Sequence, residues 1–193
     1  MTTNWWWVRH GPTHEKVFTG WRDVSADLSD INQISKLKRI LPKNAIFISS
    51  DLKRATATAK KIRSGNQKII TDFNLREFNF GLWDGLAFSE VAREYPVESK
   101  DFWEKPGAVT APEGESWNMV QGRVSKAVKK YTKAYQGSHI IAVAHFGTIL
   151  TQVQLAIKKT PYEVLSQKID NLSVTRIQIN EKETALKELN FIP

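Results

Sequence analysis

Four short segments carry the side chains that could do chemistry together. The first is Val8-Arg9-His10-Gly11, where an apolar run from Asn4 to Val8 meets the Gly11-Pro12 breaker. Arg9 and His10 therefore fall at the C-terminal end of a strand. In an open α/β sheet that edge is where ligands bind, and Gly11 lets the backbone turn tightly beside a ligand. The second segment is Ser49 to Ala59, which follows the apolar run Ala45 to Ile48 and puts Arg54 in the first turns of a helix. A helix N-terminus attracts anions, and a guanidinium there adds a planar fork. The third is Leu75 to Gly85, with Glu77 among Phe78, Phe80 and Trp83, a partly desolvated setting that suits a proton donor. In the fourth, His139 to Leu150, an apolar strand ends at His145 and Gly147 opens a helix. Transfer of a phosphoryl group needs a nucleophile, cations for the phosphoryl oxygens and a proton for the departing alkoxide. These segments supply a candidate for each.

Taken in order, Arg9-His10-Gly11, then Arg54-Ala55-x-x-Thr58-Ala59, then Leu75-x-Glu77 ahead of Phe80-Gly81-x-Trp83-Asp84-Gly85, then His145-x-Gly147, the chain resembles the histidine phosphatase superfamily. The resemblance to this phosphoglycerate-mutase-like group runs from about Val8 to about Leu150. It implies a three-layer α/β/α domain with a mostly parallel central sheet, and a metal-independent phosphomonoester hydrolase that needs no cofactor. His10 would attack phosphorus to give a phosphohistidine, while Arg9, Arg54 and His145 hold the transferring group. Glu77 would protonate the leaving oxygen and then, as a carboxylate, activate water. The attacking nitrogen of His10 must be neutral, and cationic neighbours favour that state. The implied partner is a small phosphorylated metabolite.

Some residues depart from the family pattern. An Asn usually follows Arg-His-Gly by a few residues, whereas this chain has His14-Glu15-Lys16 and then Phe18-Thr19-Gly20-Trp21. Lys16 would replace that contact with a charge, and Thr19 and Gly20 join it as candidate substrate contacts. Phe146 follows His145 where a Gly is usual, which puts a ring at the pocket wall. The stretch Pro112-Glu113-Gly114-Glu115-Ser116 is similar to the α-ribazole phosphatase branch, and the compact span between Glu77 and His145 favours phosphatase over mutase. Mutase-type phosphoryl transfer is the alternative within the family. A non-catalytic module that captures phospho-ligands or polyanions is the alternative outside it, disfavoured because no catalytic position is lost. No interleaving of aromatic and basic residues marks a specific nucleic-acid site.

These segments must be held by strands and helices whose periodicity is visible. Ile31, Ile34, Leu37 and Leu41 space a helix, stopped by Pro42, and Leu52 to Ile62 space another. Lys68 to Thr71 reads as a strand and Phe88 to Tyr95 as a short helix ended by Pro96. The Pro- and Gly-bearing stretch from about 96 to 114 reads as an excursion capping the site, with a helical turn at Asp101 to Glu104. Ser116 caps a long amphipathic helix marked by Trp117, Val120, Val124, Val128, Tyr131 and Tyr135. Strand Ile140 to Ala144, helix Thr148 to Ile157 and a strand pair at Ser173 to Ile179 and Thr184 to Leu189 complete the reading. The alternation predicts one domain over residues 1–193, with a parallel sheet bearing one antiparallel edge.

The net charge of +8 favours acidic ligands without naming one. The absence of Cys removes disulfides and thiolate chemistry. His14 and His139 lack the spacing a metal site wants, and the basic clusters fall on polar helix faces. Without a basic leader or an apolar span of about 20 residues, the chain reads as cytoplasmic and free of membrane partners. Trp5 to Trp7 read as core of a buried strand, whereas Trp21, Trp83, Trp103 and Trp117 serve packing or a substrate wall equally well.

Overall fold

A computed structural model describes residues 1–193. The chain runs through β1 (Thr3–Arg9), α1 (Ile31–Ile40), β2 (Ile46–Ser49), α2 (Lys53–Ile62) and β3 (Ile69–Thr71). After two 3-10 turns at Phe73–Leu75 and Gly81–Trp83 come α3 (Phe88–Glu94), α4 (Pro96–Glu104) and α5 (Trp117–Ala134). Strand β4 (His139–Ala144), α6 (Phe146–Ile157), α7 (Pro161–Leu165), β5 (Val174–Ile179) and β6 (Thr184–Phe191) follow.

The six strands form one sheet in the order β3-β2-β4-β1-β5-β6. Strands β1 to β4 are parallel, and β5 and β6 run antiparallel to their neighbours. The antiparallel edge is the terminal strand pair β5-β6. Alternation along the strands builds two cores. Trp5, Trp7, Ile140, Ala142 and Ala144 face a core shared with α5 and α6. Val8, Ile141 and Val143 face a second core with Ile34 and Leu37 of α1 and Ala55 and Ala59 of α2. A period-two strand must bury both faces in this way when helices cover both sides.

The helices form for local reasons. Asp30 accepts from Gln33 N to cap α1, and Ser116 accepts from Met119 N to cap α5. The stretch expected as an excursion is helical from its first residue, because Pro96, which follows the end of α3 as expected, also occupies the first turn of α4. Helix α6 begins at Phe146, two residues before the expected Thr148, with His145 as its N-cap. Helix α7 was not foreseen; Pro161 starts it and a Thr160-Glu163 capping box holds it. No helix is long and apolar enough to cross a membrane.

Candidate active site

The sheet order delivers the site. Four parallel strands end along one edge, and each hands over one piece just beyond its C-terminus. Arg9 pairs with Ala144 across β1 and β4, so His10 and His145 are the next residues on adjacent parallel strands. Their rings lie 5.0 Å apart between centroids. Ser49 of β2 pairs with Val143, and Arg54 follows in the first turn of α2. Strand β3 leads through the turn at Phe73–Leu75 to Glu77.

The hydrogen bonds settle which nitrogen of each imidazole faces which way. His10 Nδ1 lies 2.7 Å from the Gly11 carbonyl, which can only accept, so Nδ1 carries the proton and Nε2 keeps its lone pair. The His10 carbonyl accepts from Asn171 Nδ2 at 2.8 Å, and its N–H donates to Ala144 O. Gly11 N–H donates to Thr58 Oγ1, which ties the turn to α2. His145 Nδ1 accepts from Arg54 Nε at 3.2 Å, so the neutral ring bears its proton on Nε2. That Nε2 is buried with no partner in the protein, and so is Arg9 Nε. Buried donors of this kind are costly unless a ligand supplies the acceptor. Burial first, and then the Arg54 guanidinium, push the His10 imidazole down to about 3. The same two causes hold His145 well below the ordinary histidine range. Both rings are neutral at neutral pH.

Arg54 is almost fully buried and committed on one side. Besides His145 it donates to Arg22 O at 2.8 Å and Gly20 O at 2.6 Å. Three of the five guanidinium N–H groups are thereby used, and two remain. The strap that receives them is held from its other side, because Asp84 accepts from Gly20, Trp21 and Arg22 N–H, each at 2.9 Å. Arg9 donates to Ile169 O at 2.7 Å, and its guanidinium stands 5.6 Å from the centre of the Phe146 ring.

Glu77 is buried at the N-terminus of α6. Its Oε1 accepts from Phe78 N at 3.0 Å and Thr148 N at 3.3 Å, and Oε2 accepts from Gly147 N at 3.1 Å. The carboxyl therefore closes the helix that His145 opens, satisfying N–H groups that would otherwise be orphaned. Its setting is as much helix end as aromatic cluster, a contact the sequence did not reveal. Gly147 is required there, since a Cβ would sit 2.5 Å from the Phe78 ring and 2.7 Å from Glu77 Oε1.

Behind Glu77 stands a brace absent from the sequence reading. Arg123 of α5 donates to the carbonyls of Asn74, Arg76 and Glu77 at 2.7 to 2.8 Å and pairs with both oxygens of Glu115. Glu115 also accepts from Asn79 N, and Trp21 Nε1 donates to Glu77 O. Both oxygens of Glu115 are thus consumed in this brace. Trp21 and Trp117 bond to Glu77 O and Gln154 Oε1 respectively. Only a signal for buried Arg donors at carbonyls could have revealed Arg123, and no short motif encodes one.

The substrate contacts expected between residues 16 and 20 lie differently. Lys16 is exposed with no hydrogen-bond or ion-pair partner. Thr19 Oγ1 donates to Val17 O at 3.1 Å, and the Gly20 N–H and C=O go to Asp84 and Arg54. Phe146 does line the cleft beside Glu77. No group of three or more His, Asp or Glu side chains converges as a metal site.

The α/β sheet thus sets two strand-end histidines, two arginines and a helix-capping glutamate at one edge, a donor set suited to a phosphoryl group. Residues 5–192 match the family model of the histidine phosphatase superfamily, branch 1, and the chain belongs to that family. It is 31% identical over 139 residues to a bifunctional protein of Mycobacterium tuberculosis, covering 72% of this chain and 36% of that one. It thus spans about a third of that relative's length. It is 24% identical over 194 residues to the adenosylcobalamin/alpha-ribazole phosphatase of Escherichia coli, covering 96% and 94% of the two chains. The structure of Bacillus stearothermophilus YhfR superimposes with a TM-score of 0.90 at 24% identity, over 99% and 98% of the chains.

Proposed function

We propose that the protein hydrolyses phosphomonoesters of small metabolites through a phosphohistidine on His10. One observation carries the reading. His10 Nε2 is left with its lone pair, the ring of His145 5.0 Å away carries a buried Nε2 donor with no protein acceptor, and Arg9 Nε is a second such donor. A phosphoryl group attacked by His10 would satisfy both, and the two spare N–H groups of Arg54 would take a further oxygen.

The steps balance. The Nε2 lone pair forms the N–P bond as the ester P–O bond breaks, and the leaving oxygen takes a proton from Glu77. Water then attacks phosphorus, its proton returns to the Glu77 carboxylate, and the N–P pair reverts to His10. Oε2 of Glu77 accepts a single hydrogen bond, which leaves a position for that proton. Two guanidinium groups provide the positive charge that a metal would otherwise contribute. Residues 1–193 act as one unit in this reading, with residues 96–114 roofing the site. Thr19 and Gly20 serve as frame, and Lys16 lies at the surface.

Hydrolysis is favoured over mutase transfer by the wall beyond Glu77. A mutase must hold an anionic substrate at both ends, and Glu77 is the only charged residue lining that cleft. Phosphate release from nitrophenyl phosphate in the presence of chelator tests the reading. We expect turnover in the intact protein and a loss of about 10⁴-fold or more in His10→Ala. Near-normal turnover in that variant, or an absolute need for a divalent ion, would refute it.

A further inference from the structure

Next to Glu77 a narrow cleft opens toward solvent, walled almost wholly by carbon. Its floor is the site itself, Glu77, Phe146 and Gly147. Its roof comes from outside the sheet, with Phe102 and Trp103 on α4, Val109 in the loop that follows and Leu165 on α7. Trp103 is 38% exposed and so forms the rim. The indole N–H of Trp117, another wall residue, is spent on Gln154 at 2.7 Å. The cleft begins at the carboxyl that would protonate the leaving oxygen, so its occupant is whatever that oxygen is attached to.

Resting on the phosphatase reading above, we infer that the substrate's leaving group is apolar, an alkyl or aryl alcohol without carboxylate or ammonium groups. A carboxylate on the leaving group would lose water against aromatic walls, find no cation among the lining residues and meet Glu77. An ammonium would find only Glu77, whose oxygens already accept three backbone N–H bonds. An alkyl chain meets no such penalty, and each methylene it buries is worth about fourfold in affinity.

The test is a chain-length series, with kcat/KM measured for ethyl, butyl and hexyl phosphate beside phosphoserine and 3-phosphoglycerate. From ethyl to hexyl the value should rise on the order of 10²-fold, with both charged esters no better than ethyl phosphate. A flat series, or a charged ester tenfold better than hexyl phosphate, overturns the inference. Val109→Lys should shrink the hexyl-to-ethyl ratio about tenfold or more, and this ratio is independent of how much of the variant folds. An unchanged ratio also overturns the inference. Calorimetric binding of ethylphosphonate and hexylphosphonate separates this inference from the reading it rests on. If no ester is turned over but hexylphosphonate binds at least tenfold tighter, the phosphatase reading fails and the apolar cleft stands. Equal affinities overturn the cleft whatever the turnover.

Discussion

The two halves of the site are built on opposite plans. The phosphoryl half lies on the sheet edge, where His10, Arg54 and His145 are buried polar groups fixed by strand register and by carbonyls. The leaving-group half is supplied by α4, α7 and their loops, and its side chains pack as rings and aliphatic groups with few polar bonds. Electrostatic stabilisation of a transition state needs donors set in advance, which a parallel sheet provides at no reorganisation cost. Selection among alcohols needs only shape and apolar area, which short helices outside the sheet can vary freely. Chemistry and selectivity are therefore separable here, and Glu77 is the one side chain that belongs to both halves.

The largest effect that could break this division is at Glu77. With an alkyl phosphate the departing alkoxide needs its proton, and Glu77→Gln should lower single-turnover phosphorylation about 10²–10⁴-fold. With nitrophenyl phosphate the departing anion is stable, and the loss in that step should be much smaller. Equal losses on both esters would reduce Glu77 to a cap for α6.

A smaller effect belongs to the brace behind it. Arg123→Lys keeps a charge near Glu115 but cannot serve three carbonyls and two carboxylate oxygens together. Displacement of the Glu77 segment should lower kcat about 10- to 10²-fold on alkyl esters while the KM of aryl esters moves little. A uniform rise in KM instead would place Arg123 in substrate binding.

The smallest effect concerns acid stability, which only the polar half should show. His10 titrates near 6.5 when unfolded and at about 3 when folded, so the unfolded chain binds more protons between those values. Stability is full above about pH 6.5 and is lost as the pH falls toward 3, with His10 alone contributing about 2 kcal/mol of loss by pH 5. The gap between denaturant midpoints at pH 7.5 and pH 5 should narrow in His10→Gln, the share from the equally buried His145 remaining, and an undiminished acid loss there would contradict the burial argument.

The difference between the halves also explains what the sequence disclosed. His10, Arg54 and His145 were legible because each follows an apolar run and a local breaker or helix start, signals carried by adjacent residues. Glu77 was visible, but its bonds to Gly147 and Thr148 were not, since they join segments 70 or more residues apart. Asn171 and Arg123 escaped notice because they donate to backbone carbonyls, which have no sequence identity. Only the last turn of α4, Asp101 to Glu104, is legible in the sequence, because Pro96 both follows the end of α3 and starts α4. The expected contacts at Thr19 and Gly20 met a similar limit, because the carboxylate that consumes the Gly20 N–H is Asp84 from a distant turn.

The central claim is that His10 carries the phosphoryl group, and the most direct measurement is rapid quenching with a phosphoryl-labelled ester. The account predicts a protein-bound label that is stable in base, labile in acid, maps to His10 and disappears in His10→Ala. A label on serine, or undiminished turnover without any label on His10, would contradict it.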